Sequence, residues 1–379
     1  MAGDTTVFLH VGLRKSGTTY LQHGLRASTR TLSEQGVDLV HADRDRFVAD
    51  VVAPLRRFGA SGEPDDRASA EQAVAGLATL LGEGPNRRKL ISLEDLAELP
   101  ETAVALLLRG LERAPTACDV HVVVTARHWG YTIPSEWQQS VKERGTRPYA
   151  GFVTAVRERR PAAEEFLTRQ HLPDLLRRWS AGLAPDRVHL VAVPPSSRAE
   201  GTLQELFCGV VGVDPTSLRM PEQSLNASLS LAQAEMLRRV NRQLGDRMPK
   251  AGGVYKEGVR AWLARGSLMA HERSPILLPA DALEWCVAET GRQLDEVRAL
   301  GVDLVGDPDD LLADPAAPSG PSRPSQADVA AVAVSTVADL TALRWSEQEA
   351  GAGPARPTPS VAPSWRTRLS RRLSRRPPR

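Results

Sequence analysis

The chain is poor in cysteine and aromatic residues, and it lacks any long apolar run. Its three cysteines among 379 residues, Cys118, Cys208 and Cys286, lie far apart. They form no metal-ligand spacing, and an odd, sparse count suits a reducing compartment better than a disulfide framework. No window holds the roughly 18 or more apolar residues of a membrane span. The start, MAGDTTVFLH, has no basic stretch leading into a long apolar one. No secretory leader is read there, and the expectation is a cytoplasmic protein. Aromatics make up only 4%, so each one beside a polar motif is worth following. Acidic residues also run out. From Gly351 onward there are eight arginines and no Asp or Glu. Removing those eight charges from the net +2 leaves the first 350 residues at −6. Such a mildly acidic body carries no footprint for nucleic acid. The tail SWRTRLSRRLSRRPPR reads by composition as a disordered, solvated segment. Its arginines also suit an anionic membrane or a partner surface.

What is present is an ordinary globular composition, 41% hydrophobic and 25% charged, which is enough for a sizeable core. Apolar runs alternate with helical patterns. Residues 6–11, 89–92, 119–125 and 187–193 read as buried strands of a central parallel sheet, and VDLVHA (37–42) as a further short one. Residues 18–36 read as one helix ending at Gly36, and SEWQQSVKERG as a helix opening after a turn at Pro134. The expected fold class is α/β, a three-layer α/β/α arrangement around the parallel sheet. Its sheet-forming part spans about 1–215 and a mostly helical part about 216–312, where GVDLVGDPDDLL closes the body with a short apolar segment. Beyond Ala313 the chain turns to Pro, Ser and Ala, so residues 313–379 read as a largely disordered tail with one possible helix near 326–346.

Chemistry concentrates at strand ends. HVGLRKSGTT (10–19) follows the first strand at once and leads into a helix. A glycine turn at that place exposes backbone N–H groups and the positive end of a helix dipole, which together attract anions. Gly12, Gly17 and Thr19 nearly spell G-x-x-x-x-G-K-[ST], but Thr18 stands where the lysine belongs and the lysine is Lys15. In a nucleoside triphosphatase that lysine reaches the β/γ-phosphates while a Ser/Thr holds Mg²⁺. A lysine inside the loop suits instead the bond between a 5′-phosphate and the group it carries. A second strand, DVHVVVTAR, ends in Arg127, and Ser135 follows eight residues later. An arginine fork with a hydroxyl at a helix start suits a phosphate dianion. Taken alone, Ser135 with Gln138 reads as a capping box. A third strand end, LISLEDL, carries Glu94 and Asp95. Neighbouring residues there point to opposite sides, so one of the pair faces the crevice, and Glu94 is favoured. Either acid also suits the first turn of a following helix.

RKSGTTY (14–20) resembles the 5′-phosphosulfate loop of the PAPS-dependent sulfotransferases. The resemblance implies a P-loop-like fold with 3′-phosphoadenylyl sulfate (PAPS) as donor and no metal. It further implies that Arg14, Lys15, Ser16, Gly17, Thr18 and Thr19 hold the 5′-phosphate, with Lys15 also assisting the leaving group. Tyr20 matches a position whose ring stacks on adenine, or else it packs on the sheet. Arg127 and Ser135 match the family's 3′-phosphate pair, and Glu94 the base of its glutamate-using branch. His128 is another candidate base, whereas His10 reads as a core or supporting histidine. Asp95, Lys142, Asn226 and Ser228 are candidate pocket residues. The last two resemble an N-x-S-L element of bacterial members, although Ser230 with Gln233 forms a capping box beside them. Trp129 and Trp137 sit where a ring-bearing acceptor could rest. The R-K-G-x-x-G-D-W element of the animal cytosolic enzymes is absent, which argues against their phenol and steroid branch. The acceptor class stays open among small molecules, carbohydrates and lipids. A P-loop kinase and a non-catalytic nucleotide-binding scaffold are the competing expectations.

Overall fold

β1 (Thr5–Gly12) is buried on nearly every residue because both of its faces are covered. In this computed structural model, which describes residues 5–40, 43–114, 118–195, 200–221, 228–247, 255, 259, 267–268 and 274–351, it sits centrally in a six-stranded sheet. After β1 come α1 (Thr18–Ala27), α2 (Thr29–Glu34), β2 (Val37–Leu39), α3 (Arg44–Phe47), α4 (Ala53–Ser61), α5 (Pro64–Gly82), β3 (Arg88–Ser92), α6 (Glu101–Glu112) and β4 (Cys118–Ala126). The second half adds α7 (Trp129–Lys142), α8 (Tyr149–Arg157), α9 (Glu164–Gln170), α10 (Leu172–Ser180), β5 (Val188–Ala192), α11 (Leu203–Val211), α12 (Leu231–Leu244), α13 (Ala280–Leu300), β6 (Asp303–Val305) and α14 (Gln326–Gly351). The strand order is β2-β3-β1-β4-β5-β6, and every neighbouring pair is parallel. The protein is therefore α/β with a central parallel sheet.

Alternation along β1 divides the interior in two. Val7, Leu9 and Val11 join the core built with α5, α6, α10 and α13. Phe8 points the other way, into the core with α1, α2 and α11. Full burial of each such aliphatic or aromatic side chain contributes about 1.5–3 kcal/mol. The chain thus leaves β1 toward one face and β3 toward the other. Between such strands a crevice opens at the carboxyl ends, the usual ligand position in this architecture.

Three local readings change. Residues 18–36 break into two helices at Ser28, whose hydroxyl accepts a hydrogen bond from the Arg219 N–H at 2.7 Å. The segment after α13 is a sixth strand, with Leu304 registered on Leu190 of β5. α7 begins six residues before Ser135. Its amides at Tyr131 and Thr132 bond the His128 carbonyl, and Pro134 lies inside the helix. Burial of Ile133 and Trp137 holds the helix through a proline that pattern alone reads as a turn.

The chain divides into two compact units, Met1–Ala333 and Val334–Arg379. Within the first, Ala313 N–H bonds the Thr290 hydroxyl and Gly320 N–H the Leu278 carbonyl. Among the described residues one helix, Gln326–Trp345, is long and apolar enough to cross a membrane by length and composition, and it is mostly exposed. Asp328 and Asp339 keep it from forming an unbroken apolar run, which is why the sequence shows no span there.

Candidate active site

The loop after β1 is shaped by two glycines in left-handed backbone. Gly12 has φ +105°, at a bulge where β1 shifts register on β4. A side chain there would reach Glu94 Cβ at 3.4 Å. Gly17, the N-cap of α1, has φ +87°, and a Cβ on it would collide with Leu203 Cδ2 at 2.4 Å. Lys15 also takes a left-handed φ of 66°, a strained choice for a residue with a side chain. No side chain caps α1. Its first-turn amides at Thr18, Thr19 and Tyr20 have no intrahelical partners, as at any helix start.

Beneath the loop lies a closed polar network. His10 Nδ1 meets Ser92 Oγ at 2.7 Å, and its Nε2 meets Thr125 Oγ1 at 3.2 Å. Thr125 Oγ1 donates to the Gly12 carbonyl at 3.2 Å and lies 2.6 Å from Ser16 Oγ. Ser16 Oγ also lies 2.5 Å from the Leu13 carbonyl. A neutral His10 protonated on Nε2 can accept from Ser92 and donate to Thr125, while the two hydroxyl hydrogens of Thr125 and Ser16 are shared among the Gly12 carbonyl, the Leu13 carbonyl and each other. Ser16 is wholly buried. Its hydroxyl anchors the loop to the sheet and is not available to a ligand, which corrects the phosphate-holding role expected of that side chain.

Above the loop the groups are charged and incompletely paired. Lys15 Nζ donates to Gln139 Oε1 of α7 at 2.9 Å. Burial pulls the Lys15 ammonium below its usual value, and Glu136 opposes that pull. Arg14 lies 3.8 Å from Glu98 and 3.6 Å from Glu143. Burial disfavours its charge, but Glu136, Glu143, Glu94 and Glu98 together hold it above the ordinary arginine value. Glu136 is only 7% exposed, and its Oε1 has no hydrogen-bond partner. Burial raises its pKa against the pull of Lys15 and Arg14. Glu136, Gln139 and Glu143 thus form one face of α7 turned toward the loop, at the three-to-four spacing of a helix.

Glu94 and Asp95 part as a strand end requires. Thr18 Oγ1 donates to Glu94 Oε2 at 2.5 Å. Asp95 instead pairs with Arg44 at 2.6 Å. Glu94 therefore sits against the loop after β1 and Asp95 does not. Tyr20 packs with the α1/α11 core, and its hydroxyl donates to Gln204 at 3.2 Å.

Arg127 leaves the end of β4 with its guanidinium 4.4 Å from the centre of the Tyr131 ring. No carboxylate pairs with it among the described residues. α7 begins beside it, so a helix N-terminus does flank Arg127, but the capping residue is His128 and not Ser135. Ser135 lies half-buried in the second turn, and Gln138 donates to the Leu229 carbonyl, so no capping box forms. Burial and neighbouring Arg127 push His128 below the usual imidazole value, and its Nδ1 is buried without a partner. His128, Arg127, Leu13 and Gln170 line one small cavity.

The two expected acceptor shelves are core. Trp129 donates to the Gln170 carbonyl among Phe166 and Trp285, and Trp137 donates to the Arg147 carbonyl. Lys142 is half-buried in the last turn of α7. Ser228 is exposed just ahead of the Ser230–Gln233 capping box that starts α12, and Asn226 lies outside the described residues. Burial pushes Cys208 and Cys286 up to about 12, so neither is poised as a nucleophile.

Sequence reasoning missed Glu136, Thr125, Gln139 and Tyr131. Glu136 and Gln139 carried one usable signal, their spacing on the helix that follows Arg127. Comparison with known families, with curated proteins and with solved structures finds no match for this chain.

Proposed function

We propose that this protein is a cytoplasmic sulfotransferase of P-loop-like fold. It would move a sulfuryl group from PAPS to a hydroxyl or amine of a small-molecule, carbohydrate or lipid acceptor. One observation carries the reading. The anion-type loop, Glu94 and Arg127 stand at the ends of three adjacent strands, β1, β3 and β4, and the Thr18–Glu94 hydrogen bond ties the first two together. Lys15 and the first-turn amides of α1 suit a 5′-phosphate. Arg127, flanked by the start of α7, suits a second phosphate. ATP has no phosphate at the 3′ position; PAPS does.

In this mechanism the Glu94 carboxylate takes the proton of the acceptor O–H or N–H. The acceptor atom bonds to sulfur as the bond from sulfur to the 5′-phosphate oxygen breaks. Charge gathers on that leaving oxygen, where Lys15 and the amides of Thr18 and Thr19 stabilise it. Glu136 helps to keep Lys15 protonated against its burial.

Thermal unfolding with 3′,5′-ADP, 5′-AMP and ATP–Mg²⁺ tests the reading. A ligand at a hundred times its Kd stabilises by about 2.7 kcal/mol, and 3′,5′-ADP is expected to do so. Stabilisation by ATP–Mg²⁺ without any by 3′,5′-ADP would favour the kinase and end the proposal.

A further inference from the structure

α14 presents apolar side chains to water. Val334 is 70% exposed, Val337 64% and Trp345 65%. Ala338 and Thr341 are exposed between them, and Thr341 directs its hydroxyl to the Val337 carbonyl at 2.7 Å. Residues 334, 337/338, 341 and 345 recur every three to four positions, so they form one stripe along the helix. Soluble surfaces normally scatter such residues singly.

The stripe leads into the arginine-rich sequence. Trp365, Leu369 and Leu373 recur every fourth residue there, and six arginines stand among them between positions 366 and 376. Tryptophan, leucine and many arginines in one short stretch are the composition of segments that bind anionic bilayers. Tryptophan at the junction of apolar and basic stretches suits the headgroup level. A span is disfavoured. Val329 is buried and Gln326 accepts a hydrogen bond from Arg239 at 2.9 Å, so the first turns are engaged. The twelve residues from 334 to 345 extend about 18 Å, short of the roughly 30 Å hydrocarbon core.

We infer that the exposed stripe of α14 and the arginine-rich tail together dock this protein on the surface of an anionic membrane. This inference stands apart from the sulfotransferase reading. It is tested by co-sedimenting the full chain with phosphatidylcholine vesicles and with vesicles containing one-third phosphatidylserine. Binding is expected only to the phosphatidylserine vesicles and should weaken as salt rises. Replacing Arg371, Arg372, Arg375 and Arg376 by Gln should weaken it about tenfold or more. A Val337→Glu/Trp345→Glu double variant should do the same while keeping the wild-type thermal unfolding. Equal binding to both vesicle types, no binding, or binding untouched by either set of changes would overturn the inference. So would self-association that the Val337→Glu/Trp345→Glu variant abolishes in a protein that ignores vesicles.

Discussion

The two sides of the loop after β1 are built on opposite principles. Below it, His10, Ser92, Thr125 and Ser16 form a buried network in which each hydroxyl and imidazole nitrogen meets a partner. Above it, Lys15, Glu94, Glu136 and Arg127 are charged and only partly satisfied. Ser16 and Lys15 are adjacent in sequence, yet one belongs to each side. A saturated buried network rigidifies a backbone, whereas incompletely paired charges at a strand-end crevice are what a ligand can complete. Stability and function should therefore separate by residue, even within one loop.

Substitutions can break that division, and the largest effect is expected above the loop. Glu94→Gln should lower turnover of an acceptor found by screening by about 10²–10⁴-fold, with 3′,5′-ADP stabilisation retained. Unchanged turnover would remove Glu94 as the base. Lys15→Ala should cost about 10²–10³-fold in turnover and weaken 3′,5′-ADP, while urea unfolding of the free protein changes little. Thr125→Val tests the other side. It strands buried Ser16 and His10, and should cost about 1–3 kcal/mol in urea unfolding with the order of nucleotide preference kept. A Thr125→Val protein of full stability that no longer binds nucleotide would erase the distinction. The smallest effect is at Glu136. Because burial raises its folded pKa, the unfolded chain releases that proton first. Its contribution therefore falls as pH rises from the ordinary glutamate range toward the raised folded value. Glu136→Gln should flatten that fall in a pH series of unfolding curves. An identical pH profile in the variant would show that Glu136 is not held in the burial described.

The sequence made the loop, Glu94 and Arg127 legible because each follows an apolar run that could only be a buried strand. Alternation at a strand end said that Glu94 and Asp95 would part, and the Thr18 and Arg44 contacts show them doing so; the preference for Glu94 came from the resemblance to the glutamate-using branch. Ser135 was misplaced because Pro134 reads locally as a turn, while packing of Ile133 and Trp137 carries the helix through it. Ser16 was assigned to the ligand because a loop hydroxyl gives no sign of which way it turns. That direction depends on Thr125, over a hundred residues away. Glu136 went unnoticed for a similar reason. A lone helix glutamate usually faces solvent, and only the approach of α7 to the loop buries it. Long-range contacts, not propensities, decided every one of these differences.

The central claim is that the crevice recognises a nucleotide carrying both 5′- and 3′-phosphates, the second through Arg127. Titration calorimetry of 3′,5′-ADP and 5′-AMP into the wild-type protein and Arg127→Ala tests it directly. The wild type should prefer 3′,5′-ADP by about tenfold or more, as a charge-assisted contact of about 1.5–3 kcal/mol implies. Arg127→Ala should bind the two alike, with 5′-AMP affinity unchanged. Equal affinities in the wild type, or a preference that survives in Arg127→Ala, would contradict the account.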